Sequence, residues 1–120
     1  MHFIGVFNRD GGTFATMDLE GFAARAIAIM GEAGHSLEVR IVAGKAILAE
    51  LERAAGDPAA EALMAGGGDG TISSAAEVCF RTGKLLAVLP AGTMNLFARS
   101  LGMPLDPVEA LGALAGGALQ

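Results

Sequence analysis

Apolar residues follow two rhythms along this chain. Phe3-Ile-Gly-Val-Phe7 is a short unbroken apolar run closed by the turn-rich Asn8-Arg-Asp-Gly-Gly12, which predicts a buried strand entering a loop. Beyond it, Leu19, Phe22, Ala23, Ala26, Ile29, Met30 and Ala33 recur at helical spacing, with Asp18 placed to cap the first turn and Gly34 to leave the last. Leu37, Val39 and Ile41 then alternate with Ser36, Glu38 and Arg40. A second strand with one wet face is expected there, nearer a sheet edge than the first. A helix over residues 45–55 follows through Ile47, Leu48 and Leu51.

The alternation continues in the second half. Ala62 to Ala65 are weak strand formers, yet their position just before Gly66-Gly-Gly68 predicts a short buried strand. Thr71 is placed to cap a helix that carries Ile72, Ala75, Ala76 and Cys79 on one face, with Gly83 at its exit. Leu85-Leu-Ala-Val-Leu89 reads as a buried strand, Pro90-Ala-Gly-Thr-Met-Asn95 as a second glycine-containing loop, and residues 96–101 as a short helix. Asp106-Pro-Val-Glu109 has the N-cap, N1 proline and N3 glutamate of another helix, with Val108, Leu111 and Leu114 inward and an end at Gly116-Gly117. Strands alternating with helices predict βαβ units, hence an α/β fold with a parallel sheet and helices on both faces. The loops at residues 8–13, 66–71 and 90–95 then open on one rim, at the carboxyl ends of the strands, where such folds bind ligands.

Chemistry concentrates in Met64-Ala-Gly-Gly-Gly-Asp-Gly-Thr71. A strand, glycine turn and helix leave free backbone N–H groups suited to phosphate. Asp69 would repel a bare phosphate, so its presence implies magnesium accompanying the phosphates or a reacting hydroxyl held by the carboxylate. A plain turn at Asp69-Gly70 would want alternating strands on both sides, whereas a helical pattern follows.

Composition narrows the partners. Across 120 residues, 8 basic against 13 acidic side chains give a net charge of −5 with no Lys/Arg cluster, which argues against nucleic acid and against strong attraction to anionic lipid. The 52% hydrophobic content contains no apolar run of membrane-spanning length. It does permit an exposed apolar face and self-association through it. Cys79 is the single cysteine and Met1-His-Phe-Ile-Gly5 lacks a signal-peptide pattern, so a cytoplasmic protein is expected, with at most peripheral contact at the inner face of the membrane. His2 and His35 have no partner at metal spacing, and Ser73-Ser74 lacks a nucleophile elbow.

Gly67-Gly-Asp-Gly-Thr71 followed by Pro90-Ala-Gly-Thr-Met-Asn-Leu-Phe-Ala-Arg99 resembles the catalytic domain of the diacylglycerol kinase family, which includes bacterial lipid kinases and sphingosine kinases. The first motif also occurs in NAD kinases and, as a close variant, in phosphofructokinases; the second favours the lipid kinases. The resemblance implies an N-terminal α/β lobe that binds ATP with Mg2+, a second β-rich lobe that binds lipid, and phosphoryl transfer to a lipid hydroxyl in the cleft between them. It makes Gly67, Gly68, Gly70, Thr71 and Ser73 the phosphate cradle, with Asp69 the catalytic group nearest the transferred phosphate or its metal. Gly92, Thr93 and Asn95 would border the same nucleotide, and Asn8 and Gly12 match the family's Asn-Pro-x-Ser-Gly loop.

Arg9 and Gly11 depart from that loop, Leu96 stands where many members carry aspartate, and the threonine often found past the second strand is replaced near Ala43 and Gly44. Asn8 equally suits a bridge between backbone groups at a strand end. Thr93 and Asn95 also suit a helix cap, the lesser of their two readings, and Arg99 is more often a solvated helix residue. Residues 1–120 are therefore read as the nucleotide-binding lobe without the lipid-binding lobe, and the chain alone is expected to have weak or no lipid kinase activity. The alternatives are a kinase for a soluble acceptor, as in NAD kinases, and a non-catalytic nucleotide-binding module.

Overall fold

The computed structural model describes residues 1–16 and 18–90. Strand β1 (His2–Asn8) leads through a 3-10 turn (Gly12–Ala15) to α1 (Leu19–Glu32), and β2 (Ser36–Val42) leads through a second 3-10 turn (Gly44–Ala46) to α2 (Ile47–Ala55). Strand β3 (Ala62–Gly67) runs directly into α3 (Asp69–Thr82), and β4 (Leu85–Pro90) follows. The four strands form one parallel sheet in the order β2-β1-β3-β4. Fold class and the edge position of β2 agree with the sequence.

The period of two along β1 distributes the core. Phe3 and Phe7 join α1 residues Phe22, Ala26 and Met30 in one apolar cluster. Ile4 and Val6 join Leu51 and Ala54 of α2 and Ala75 and Val78 of α3 in the other. β3 alternates in the same way, with Ala62 and Met64 on the α1 side and Leu63 and Ala65 on the α2/α3 side. Helices thus cover both faces. A strand buried on both sides accepts alanine and methionine because packing outweighs intrinsic preference.

Element ends follow their residues. Asp18 caps α1, its Oδ1 accepting from Gly21 N at 3.1 Å. Gly83 closes α3 at φ 75°, a left-handed position that only glycine adopts without strain. Two boundaries differ from expectation. α2 begins at Ile47, with Lys45 in the preceding 3-10 turn. Thr71 does not cap α3: the helix starts at Asp69, its N-cap is Gly68 without a side-chain cap, and Thr71 lies inside the first turn, 6% exposed. The hydroxyl that would have capped the helix is engaged elsewhere, as described below. The loop after Pro90, the helices expected over residues 96–101 and from Asp106, and the site candidates Gly92, Thr93 and Asn95 lie outside the described residues.

Candidate active site

The strand order places a switch point at the centre of the sheet. From β1 the chain moves outward to β2 with α1 on one face; from β3 it moves outward to β4 with α3 on the other. The loops leaving β1 and β3 therefore diverge, and a crevice opens between the carboxyl ends of these strands. Asn8 ends β1 and Gly67 ends β3 at that crevice.

The four glycines of the β3–α3 turn fall into two kinds. A Cβ on Gly66 would lie 2.6 Å from Phe14 and 2.9 Å from Phe7. Those rings pack with Phe22 at centroid separations of 5.6 to 5.9 Å beneath the loop. Gly67 has φ 157°, and a Cβ there would lie 2.8 Å from Thr71 Oγ1. Both glycines serve packing. Around Gly68 and Gly70 a Cβ would meet nothing within 4 Å among the described residues, so these two leave open space where a ligand could reach the backbone.

That space faces the head of α3. The first helical bond runs from Ile72 N to Gly68 O at 3.1 Å, and the N–H groups of Asp69, Gly70 and Thr71 have no partner among the described residues. Free amides at the positive end of a helix attract anions. Beside them, Asp69 Oδ1 is buried and lacks any hydrogen-bond partner among the described residues. A carboxylate at the first helical position is favoured by the helix dipole, by about 0.3–1 kcal/mol. A buried oxygen without a donor is penalised by about 1–3 kcal/mol, so this atom is poised for a proton donor or a cation.

Asn8 joins the loops around the crevice. Its Oδ1 accepts from Asp10 N at 2.9 Å, and its Nδ2 donates to Thr71 Oγ1 at 3.1 Å. Asp10 Oδ2 in turn accepts from Gly44 N at 2.8 Å. One chain of hydrogen bonds thus ties the loops after β1 and β2 to the first turn of α3. Gly11 fits against the Gly67-Gly68 backbone, where a Cβ would approach Gly67 Cα and Gly68 N to 3.2 Å.

A cavity of about 320 Å³ lies along this strap, with Asn8, Lys45, Gly70, Thr71 and Ser74 at its polar side and Ile47 and Leu48 at its apolar side. Asn8, Gly70 and Thr71 are thereby brought together. Asp69 and Gly68 adjoin them at the head of the helix, Gly67 is buried behind Thr71, and Gly12 sits in the 3-10 turn beyond Gly11. Ser73 is exposed and does not line the cavity, whereas Ser74 does. The signal for Ser74 was available: it stands four residues from Gly70 and three from Thr71, on one helix face. Lys45, also missed, carried no comparable signal, since only the strap reveals its neighbours.

Among the described residues no three His, Cys, Asp or Glu side chains cluster as metal ligands. Cys79 is buried and its thiol is pushed up from near 9 to about 11 by desolvation, partly countered by Lys84, so it is packing rather than a nucleophile. No helix among the described residues is long and apolar enough to cross a membrane.

The sequence model described as Diacylglycerol kinase catalytic domain matches residues 2–120. The chain belongs to that family. Among similar proteins is the Probable lipid kinase YegS-like of Pseudomonas aeruginosa (strain UCBPP-PA14), 42% identical over 91 residues that cover 74% of this chain and 30% of the relative. The protein of the same description from Chromohalobacter salexigens is 38% identical over 84 residues, covering 67% of this chain and 27% of the relative. A crystal structure of a diacylglycerol kinase from Bacillus anthracis str. Sterne shares the fold at a TM-score of 0.77 and 21% identity, covering 96% of this chain and 39% of that one. The chain thus spans under a third of the length of these lipid kinase relatives. Within the diacylglycerol kinase family, the described residues supply an α/β sheet with the glycine turn at its switch point.

Proposed function

We propose that this chain is the ATP-binding lobe of a lipid kinase, which transfers the γ-phosphate of ATP to a lipid hydroxyl when a β-rich lipid-binding lobe completes the cleft. The reading rests on one observation above the others: a carboxylate oxygen of Asp69 that is buried and, among the described residues, unpartnered, next to three helix amides without a partner among those residues. In this scheme the amides of Asp69, Gly70 and Thr71 bind phosphate oxygens. Gly68 and Gly70 let the phosphates approach, and Asp69 orients the acceptor hydroxyl or holds the metal that travels with ATP. Asn8 supports this cradle through Thr71, Gly67 and Gly12 hold the turns behind it, and Ser74 rather than the exposed Ser73 faces it from α3. Gly92, Thr93 and Asn95 would extend it from the β4 side.

Magnesium suits a site with one carboxylate, because it keeps several waters and takes its other ligands from phosphates. Bound there, it would neutralise charge on the migrating phosphoryl group. A cytoplasmic protein in peripheral contact with the inner face of the membrane is compatible with a lipid acceptor presented at a bilayer.

Asp69→Asn in a form that carries both lobes is the test. Turnover with a diacylglycerol dispersion should fall at least about a hundredfold, while ATP affinity stays within a few-fold. Unchanged turnover removes Asp69 from the mechanism. Phosphorylation of NAD but not of diacylglycerol moves the acceptor to the soluble class, and ATP binding with transfer to neither leaves a nucleotide-binding module.

A further inference from the structure

We infer that Lys45 is a phosphate-binding residue of the nucleotide site, reaching it from the β2 side of the crevice. This rests on the nucleotide reading above and adds a group that the glycine turn cannot supply.

Charge is the first consideration. ATP carries several negative charges, the chain is itself negative by −5, and Asp10 and Asp69 both stand close to the rim. Three backbone amides offer partial charges only. Lys45 is the single cationic side chain among the described residues lining the 320 Å³ cavity, which it shares with Gly70, Thr71 and Ser74. It forms no ion pair among the described residues. Other cations have partners of their own: Arg40 and Arg53 pair with Glu50, Arg81 pairs with Glu52, and Arg9 donates to Ile41 O.

Position is the second. Lys45 does not hang from a free loop, because Gly44 N is held by Asp10, Asp10 N by Asn8, and Asn8 by Thr71. The 3-10 turn Gly44–Ala46 then hands the chain directly to α2. The strap that orients Thr71 therefore also fixes the root of the lysine. Its flexible stem supplies the reach and its ammonium the charge. Ile47 and Leu48 beside it leave an apolar wall for the uncharged part of the ligand.

Calorimetric titration of the 120-residue chain with MgATP and, separately, with adenosine tests this. Lys45→Ala should weaken MgATP binding about tenfold, the loss of one charge-assisted contact, and leave adenosine binding and melting temperature unchanged. Lys45→Arg should restore most of the affinity. MgATP affinity of Lys45→Ala within twofold of wild type overturns the inference and leaves the nucleotide reading standing. Equal losses for MgATP and adenosine also overturn it, since they indicate a structural role. Failure of the wild type to bind MgATP overturns both.

Discussion

Removing the amide of Asn8 should loosen three segments at once. Asn8→Ala deletes the acceptor for Asp10 N and the donor to Thr71 Oγ1. Thr71 is 6% exposed, so water reaches its hydroxyl only by way of the cavity it lines. The first bond is exposed and contributes about 0.5–1 kcal/mol; the second leaves a buried hydroxyl short of a partner at about 1–2 kcal/mol. A total near 2 kcal/mol corresponds to a melting temperature lower by about 8–16 °C, at roughly 4–8 °C per kcal/mol for a domain of this size. A double-mutant cycle isolates the buried bond. Thr71→Val keeps the shape and removes the hydroxyl, so once Asn8 is alanine the second substitution should do little further harm, and the coupling should be about 1 kcal/mol. Urea unfolding of the four proteins measures it. Additivity within about 0.3 kcal/mol would refute the claim that the strap is an energetic link.

The glycines of the turn should separate by role. Gly66→Ala and Gly67→Ala, which drive a methyl into Phe14 and Thr71 respectively, should each destabilise by about 2 kcal/mol or more in denaturant titrations. Gly70→Ala should instead stabilise α3 by about 0.5–1 kcal/mol while weakening ATP binding by calorimetry, because the added methyl occupies the open space. Cys79 provides a pH test. Its folded value of about 11 lies above the ordinary value near 9, so the neutral buried thiol contributes stability below pH 9. That contribution is lost as pH rises toward 11, and Cys79→Ala should flatten the decline between those limits.

How much was legible depended on whether a residue's role was local. Asp18 as a cap, Gly83 as an exit and β2 as a half-wet edge strand are written in their neighbours and appeared as expected. Ala62 to Ala65 became a strand through burial on both faces, a tertiary effect that the glycine turn signalled only by position. Thr71 misled because a hydroxyl before a helical run is the usual sign of a cap. Its partner is Asn8, on another strand, and so the helix begins two residues earlier on a bare glycine. Lys45 was hidden for the same reason. Its neighbours at the cavity come from β1 and α3, and no periodicity along the chain records that meeting.

The contact between Gly11 and the Gly67-Gly68 backbone carries a further consequence. Main chain meets main chain there, so the width of the crevice cannot be adjusted by exchanging one side chain for another. A side chain added at Gly11 must displace the Gly67-Gly68 backbone, so two segments distant in sequence hold each other's path. Substitutions on surfaces away from this seam leave the seat itself untouched.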